Sequence, residues 1–492
     1  MAQPDPQAVA PWYLRNITQA LELNEATGQV FVRTDAQLTI GNVGNVNVTD
    51  VEVLALGNVD ISGNTLPISG NVTVYQGTDP WVVTGNTTIT GGNVATTIGG
   101  TNLDAFGRLR VSEPYTLFDS QNMYVDGGQF SNVTATGGNI SYVANESSFN
   151  LSVTTSNGSS VINQSRTTQA YQPGKSLLTM NTFAMATLTA NCRQRVGYFT
   201  DKNGVYFEAD GTTLYLVIRS SASGTVVEEK IAQANWNADT LKTGVSPNPS
   251  GYNLDPTLVQ ILWSDIEWLG VGTVRAGFVI NGEFIVCHRF NHANQAGNTR
   301  VYMTSATLNP RYEITNTGSV GSALTMKQIC STVISEGGYN PITTINYASG
   351  GIRPTRISTG NVYTNLATIR LNPAYPDAVV VASQVDLLLT DVQYGAFQLV
   401  LNASNVANLT FANVGTGIVQ ANTTARQIDD GTVVYAGLTS SRDSLTVGED
   451  LKRRLQLSRS ANGTPDTLTL CVGYGSNNAD VIWKFGWEEV TN

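Results

Sequence analysis

The phrases Gly44-Asn45-Val46, Gly57-Asn58-Val59 and Gly70-Asn71-Val72 begin 13 residues apart, within a longer stretch, 41–100, that repeats the same pattern. Gly and Asn both tolerate positive φ, which suits tight turns. Each phrase opens a run in which small apolar residues alternate with polar ones, the period-two pattern of strands with one buried face. Short strands and turns at such regular spacing predict a repeat architecture.

The apolar positions of this repeat predict an interface between chains. Each strand carries only two or three small apolar side chains, too few to offset the entropy lost on ordering it. Copies of the chain wound about a common axis would bury these side chains together. We therefore expect a multichain shaft, most simply a homotrimer, with these residues at its axis: Val46, Val48, Val59, Ile61, Val72 and Val74. A single-chain β-solenoid, or an edge sheet packed on the rest of the protein, is the alternative.

Composition narrows the class of protein. Charged residues make up 13% of the 492 residues, against about 25% in typical soluble proteins. The net charge of −10 argues against a nucleic-acid partner, which requires a basic surface.

No apolar run is long enough to insert into a membrane. The first residues lack a basic segment followed by an apolar one, so we expect no signal peptide. The four cysteines form no Cys-x-x-Cys pair, and we expect reduced, mostly buried thiols.

The chain is predicted to be all-β and to have four parts. After the repeat, short alternating segments separated by Gly and Asn turns are typical of β-sandwiches with a jelly-roll-like architecture. The strongest turn is Asn281-Gly282, between two such segments. The predicted parts are a particle-docking piece (1–40), the repeat shaft and junction (41–121), a first β-sandwich (122–340) and a C-terminal β-sandwich (341–492).

The first 40 residues predict a short helix followed by a strand. Pro11 is a favourable first helical residue, Gly28 would end the helix, and Gln29–Arg33 has the composition of a strand. Four apolar residues would fall roughly on one helix face and form a docking element for another protein: Trp12, Tyr13, Ile17 and Leu21. A cap over the open end of the repeat is the alternative.

The junction after the repeat carries the most specific sequence, AFGRLRVSEPYTLFDS at residues 105–120. Placed between a Gly-Asn repeat and a large β region, this phrase resembles tailed-bacteriophage virion proteins, particularly those of phages of cyanobacteria and marine bacteria. The resemblance implies a fibre, spike or similar appendage. A plain linker is the alternative. Against it, the segment holds too many apolar residues to be left exposed to water: Phe106, Leu109, Val111, Leu117 and Phe118.

Two groups of residues suggest chemistry. His288 and His292 are four apart, a spacing that suits one metal ion on a helix. Here the surrounding pattern is a strand running into an Asn/Gly turn, so we expect no metal and no cofactor. Asp265, Glu267 and Glu283, near Trp263 and Trp268, are the residue types of a glycosidase groove. Because Asp265 and Glu267 are two apart and would share one strand face, a solvated edge is the simpler interpretation.

A third group lies near the end of the chain. Trp483, Phe485 and Trp487 alternate along one predicted strand. On a solvent face they would form a platform for a sugar or a protein. On an inner face they would belong to the core of the last sandwich, which the pattern favours.

These features lead to three hypotheses of function. The first is an oligomeric fibre or spike of a virion, attached to other virion proteins through its N-terminal piece and contacting a glycan or protein of the host surface. The second is a decoration or collar protein that stabilises the particle without a receptor contact. The third is a virion-associated glycan hydrolase. The sequence favours the first, which is not an enzyme.

Overall fold

The computed structural model describes residues 21–24, 29–32, 113–123, 127–339, 344–357, 362–390, 394–403, 409–424, 427–428, 430–440, 443–446, 455–474 and 479–490. The chain divides into two compact units, residues 1–96 and 97–492, which are described separately. Within the described residues the regular elements are β-strands, numbered here in chain order, and two 3₁₀ turns, Ala144–Glu146 and Gln233–Asn235. The prediction of an all-β fold is confirmed.

In the first unit, β1 (Leu21–Asn24) pairs with β2 (Gln29–Val32) as an antiparallel hairpin in which Leu21 lies opposite Val32. The predicted strand after Gly28 is confirmed. The predicted helix is wrong at Leu21, which lies in β1. The sequence Leu21-Glu22-Leu23-Asn24 also alternates with period two, and a pairing partner so close along the chain favours a hairpin over a short helix.

The other residues predicted to dock or to associate lie outside the described part of the chain. For docking they are Trp12, Tyr13 and Ile17. For the chain-to-chain interface they are Val46, Val48, Val59, Ile61, Val72 and Val74. The docking piece and the shaft therefore stay predictions, as do the three boundaries between the four predicted parts.

In the second unit, two sheets hold the strands that run from Pro114 to Glu336. These strands are β3 (Pro114–Ser120), β4 (Phe130–Ala135), β5 (Asn139–Val143), β6 (Ser148–Val153), β7 (Ser160–Ser165), β8 (Ser176–Ala184), β9 (Cys192–Phe199), β10 (Gly204–Asp210), β11 (Thr213–Ser220), β12 (Val227–Ala232), β13 (Gln260–Ile266), β14 (Val274–Ile280), β15 (Glu283–Phe290), β16 (Pro310–Asn316) and β17 (Leu324–Glu336). The seven-stranded sheet has the order β12-β11-β10-β9-β16-β7-β4. The eight-stranded sheet has the order β15-β14-β13-β8-β17-β6-β5, and β3 also pairs with β17.

The two sheets pack face to face over one apolar core. In β8 every second side chain is buried, as period-two patterning predicts. Phe207 of the seven-stranded sheet contacts Phe183 and Phe278 of the eight-stranded sheet, with ring centroids 6.0 and 5.2 Å apart. These two sheets form the first sandwich.

Two further sheets hold the strands from Thr344 to Val490. These strands are β18 (Thr344–Ile357), β19 (Thr364–Leu371), β20 (Val379–Leu389), β21 (Tyr394–Leu401), β22 (Ala412–Val414), β23 (Val419–Asn422), β24 (Thr432–Ser440), β25 (Asp443–Thr446), β26 (Thr467–Gly473) and β27 (Ala479–Val490). One sheet has the order β18-β27-β20-β25 and the other β22-β23-β19-β26-β21-β24. A second apolar core lies between them, so they form the second sandwich.

Polar contacts join the two sandwiches. Arg166 forms an ion pair with the buried Asp466, with N and O 3.3 Å apart. The side-chain amide of Gln456 donates to the carbonyl of Thr168 (2.8 Å), and the amide N–H of Ala461 donates to the hydroxyl of Ser131 (3.1 Å). Direct contact therefore couples the two sandwiches, and we call these three contacts the joint.

Local details confirm two sequence predictions. Asn281 and Gly282 connect β14 to β15 with φ values of 53° and 84°, the backbone of a two-residue hairpin turn. The four cysteines are free thiols, of which Cys192, Cys287 and Cys471 are buried. Among the described residues, no helix has both the length and the apolar character needed to cross a membrane.

Candidate functional site

The eight-stranded sheet turns one face to the core and the other away from it; the second is called the outer face. Neighbouring strands place one row of residues across it. Asp119 of β3 lies opposite Thr332 of β17, which lies opposite Met180 of β8. Met180 lies opposite Trp263 of β13. This row of the outer face thus passes from the polar Asp119 at β3 to the aromatic Trp263 at β13.

A change of neighbours along β17 opens a groove in this face. β17 pairs with β6 over Leu324–Gln328 and with β3 over Ser331–Glu336. Between these two segments its register with β8 shifts, so that Ile329 and Cys330 bulge out. Such bulges locally break the ladder and re-aim side chains. A groove of about 520 Å³ lies here, lined by residues of β3, β8, β13 and β17 and by Gln121.

The groove has a polar rim and an apolar floor. Hydrogen-bonding side chains line it at Thr116, Asp119, Gln121, Thr182 and Thr332. The half-buried Met180, Ile261 and Cys330 supply the floor. Among the described residues that line the groove, none is a lysine, arginine or histidine. Burial raises the pKa of the Cys330 thiol, so that it stays protonated and neutral near pH 7.

Hydrogen bonds to the backbone fix part of this lining. The hydroxyl of Thr332 donates to the carbonyl of Phe118 (3.0 Å), which ties β17 to β3. The hydroxyl of Ser120 donates to the side-chain oxygen of Asn122, and the amide of Asn122 donates to the bulged carbonyl of Ile329 (2.7 Å). These bonds hold β3 against the bulge, so the groove is formed in the folded chain before any ligand arrives.

An aromatic corner adjoins the groove. The indole of Trp263 lies next to the ring of Phe284, with centroids 5.5 Å apart, and its N–H donates to the carbonyl of Ile285 (3.2 Å). Gly277 is the residue of β14 opposite Trp263. Phe284 is 53% exposed although it is a large apolar side chain.

The three carboxylates that suggested a glycosidase lie in three different settings, and no two of them share a strand. Asp265 lies in β13, is buried, and forms an ion pair with Arg275. β13 ends at Ile266, so Glu267 lies beyond the strand, and the expectation that it shares a strand face with Asp265 is wrong. The backbone N–H of Glu267 instead bonds to the carbonyl of Thr273 (3.2 Å). Glu283 is exposed at the start of β15.

A larger charged cluster lies on the face of the seven-stranded sheet away from the core. Arg195 donates to Glu208 (2.6 Å), Glu228 (3.1 Å) and Glu313 (3.3 Å). Lys230 adds an ion pair to Glu208, whose side chain is fully buried. The sequence analysis did not predict this cluster. Its members are spread over residues 195–313, and they meet only because strands β12, β11, β10, β9 and β16 lie side by side in one sheet.

Glu228 shows the electrostatics of this cluster. Burial opposes its ionisation, but hydrogen bonds from Arg219 and Tyr206 and the charges of Arg195 and Arg219 outweigh that effect and lower its pKa to about 2. The pKa of Glu313 is also lowered, because the charges of Arg311 and Arg195 outweigh the effect of its burial. A carboxyl group that must donate a proton near neutral pH needs a raised pKa instead.

The two histidines have separate partners. His288 accepts a hydrogen bond from the backbone N–H of Asn237 (3.1 Å), and burial lowers its pKa to about 4. His292 stacks on Tyr302, with ring centroids 4.0 Å apart, and hydrogen-bonds the carbonyl of Gly272 (2.6 Å). In the part of the chain that the structure describes, no group of three or more His, Cys, Asp or Glu residues could hold a metal ion.

The aromatic residues of β27 belong to the core. Trp487 and Phe485 are fully buried and Trp483 is 6% exposed. All three pack in the second apolar core. The core interpretation is therefore confirmed, and the alternative of a solvent-facing platform is wrong.

Comparisons with known proteins give a likeness of fold only. No family profile and no curated protein matches the chain. Among solved structures it is similar to the β-glucanase of Bacillus licheniformis (13% identity, 44% of this chain and 96% of that one, TM-score 0.30). It is also similar to the Emp47p carbohydrate recognition domain (11%, 46% and 97%, TM-score 0.30) and to the CBM2 module of the evolved Dit of Lactobacillus casei BL23 phage J-1 (6%, 47% and 100%, TM-score 0.30). At these identities and TM-scores, the similarity carries no argument about function.

Proposed function

We propose that this chain is a structural component of a tailed-phage virion, an oligomeric fibre or spike of the tail, neck or head that projects from the particle and contacts the host surface. The observation that carries the proposal is an all-β body of two joined sandwiches, which begins with β3 inside the 105–120 segment and follows the Gly-Asn repeat in the sequence. The low content of charged residues, 13%, supports a particle-bound β protein.

In this proposal the chain is a homotrimer held together by its repeat. Native mass spectrometry of the full chain tests this, and a trimer is the expected result. A monomer at micromolar concentration would contradict the shaft. The N-terminal piece binds other virion proteins, and no nucleic acid, membrane insertion or cofactor is required.

Orientation is tested with two shortened chains. A chain starting at Thr101 should fail to attach to particles, because it lacks the docking piece and the repeat. A chain ending at Asn340 should attach but bind host cells less well, because it lacks the distal C-terminal sandwich, whose broad loops offer surface for recognition of the receptor. Normal attachment of the first chain together with lost attachment of the second would reverse the proposed orientation.

A non-enzymatic role fits the pairing of Asp265 with Arg275 and the lowered pKa of Glu228. A glycan hydrolase is the second candidate, and it predicts release of reducing sugar from envelope polysaccharide that is lost in Asp265→Asn or Glu267→Gln. A decoration or collar protein is the third, and it predicts particles that lose stability but not host binding when the chain is absent.

A further inference from the structure

The groove between β3 and β8 has the size of a small-ligand site. Its volume of about 520 Å³ lies within the usual range of about 300–1,000 Å³ for such sites. The tie between Thr332 and the carbonyl of Phe118, and the bonds made by Asn122, hold its walls in place. A ligand would therefore meet a preformed surface and lose little affinity to ordering of the protein.

The lining selects the charge of the ligand. Asp119 is the only carboxylate among the described lining residues, and no cationic side chain accompanies it. An anion would meet this negative charge without a partner. A metal ion would find one exposed carboxylate, short of the six to eight oxygen ligands of Ca²⁺. The groove is therefore suited to a neutral ligand.

The arrangement of polar and apolar groups selects the kind of neutral ligand. Hydroxyls of Thr116 and Thr182, the carboxylate of Asp119 and the amide of Gln121 offer both donors and acceptors around the rim. Met180 and Ile261 offer an apolar floor to C–H groups. A sugar ring has this same division, with hydroxyls at its edge and C–H groups on its face.

A peptide fits this groove less well. Extended peptides gain affinity mainly by adding a strand to a free sheet edge. Here β17 is flanked by β8 on one side and by β6 and β3 on the other, so the floor of the groove lies on a sheet face; the edge strand that borders it is β3, which pairs only with β17 among the described strands. From the lining and this placement, we infer that the groove binds a neutral saccharide; the inference rests on the proposed host contact and adds to it a saccharide site in the first sandwich, which a chain ending at Asn340 retains.

Methyl NMR of the full chain, labelled at methionine methyl groups, tests the inference. Met180 lies on the groove floor, and Met180→Leu assigns its resonance among the six methionines. The probes are maltohexaose, cellohexaose, chitohexaose and mannohexaose at ~10 mM, tenfold above a Kd of 1 mM. A shift of the Met180 resonance with a neutral probe, but not with hexagalacturonate, is the expected result.

Two variants check that the groove is the binding site. Asp119→Ala combined with Gln121→Ala removes two exposed rim side chains, and it should weaken binding by about tenfold or more, since a lost charged hydrogen bond has that effect. Glu283→Ala removes an exposed carboxylate elsewhere on the same sheet and should leave the affinity unchanged. Circular dichroism confirms that both variants fold.

Three results would overturn the inference: no shift with any neutral saccharide, a shift with hexagalacturonate alone, or a shift with a neutral threonine-rich hexapeptide but no saccharide. Failure of the groove is distinguishable from failure of the proposed function. If the chain is found on particles but binds no saccharide, only the groove inference is contradicted. If the chain binds a saccharide but is absent from particles, only the virion proposal is contradicted.

Discussion

Arg195 is the residue on which the first sandwich depends most directly. Its guanidinium bonds three glutamates, and Glu208 is fully buried beneath it. Removing one partner of a buried ion pair leaves an uncompensated charge, which is far more costly than the pair is worth as a whole. The cluster is therefore sensitive to single truncations.

We predict that Arg195→Ala lowers the free energy of unfolding by about 3–5 kcal/mol. Chemical denaturation followed by tryptophan fluorescence measures it. The matched control is Arg356→Ala, whose side chain is 57% exposed in its pair with Asp480, and which should cost less than about 1 kcal/mol. Equal losses in the two variants would show that burial does not determine the strength of these pairs.

Glu228 predicts how stability depends on pH. Its pKa is about 2 in the folded chain against an ordinary 4.5, so the native state favours the ionised form. The contribution of Glu228 to the free energy of unfolding is fully present above about pH 4.5 and is lost as the pH falls towards about 2. Glu228→Gln should therefore be less stable than wild type at pH 7, and the difference should shrink on acidification. Denaturation curves measured from pH 7 to pH 2 test this, and a constant difference would contradict it.

At the scale of elements, local signals were predictable and long-range pairings were not. The β14–β15 hairpin follows from Asn281-Gly282, because a two-residue turn fixes both its strands. The groove depends on Asp119 meeting Thr332, residues 213 apart in the sequence (332 − 119). No local pattern specifies that pairing, and the bulge at Ile329 and Cys330 that opens the groove has no signature of its own.

The same hairpin gives a prediction with an internal contrast. Gly282 has φ +84° and open space around it. Gly282→Ala should therefore lower the free energy of unfolding by about 1–2 kcal/mol, the strain of a left-handed backbone at alanine. At Gly277, an added Cβ would lie 1.8 Å from the carbonyl oxygen of Ile285, so Gly277→Ala should cost more than about 3 kcal/mol. Thermal unfolding of both variants tests the register of β14 and β15. The reverse order of losses would contradict it.

At the scale of the whole molecule, the joint determines whether the two sandwiches unfold together. Arg166 and Gln456 bridge them through an ion pair and a hydrogen bond. We predict that Arg166→Ala combined with Gln456→Ala splits or broadens the calorimetric transition of the sandwiches, because each has its own core. Arg289→Ala, an exposed arginine on β15, is the control and should leave the profile unchanged. An unaltered profile in the double variant would show that these two contacts do not couple the sandwiches.

The class of fold followed from the sequence, but its candidate site did not. Alternation and turns were enough to predict all-β sandwiches, and the burial of Trp483 and Trp487 agrees with the core interpretation. The short apolar helix was misjudged at Leu21, where a hairpin partner at Val32, eleven residues later, outweighed the helical pattern. The functional interpretation rests on the repeat and the 105–120 segment, because the folded body alone is compatible with many activities.

The most direct test of the central claim is electron microscopy of gradient-purified particles labelled with gold-conjugated antibodies against the second sandwich. Particles should come from a lysate of cells that produce this chain. Gold is expected at a projecting feature, held away from the particle surface by the shaft. Unlabelled intact particles, with the chain recovered only in the soluble fraction of the lysate, would contradict it.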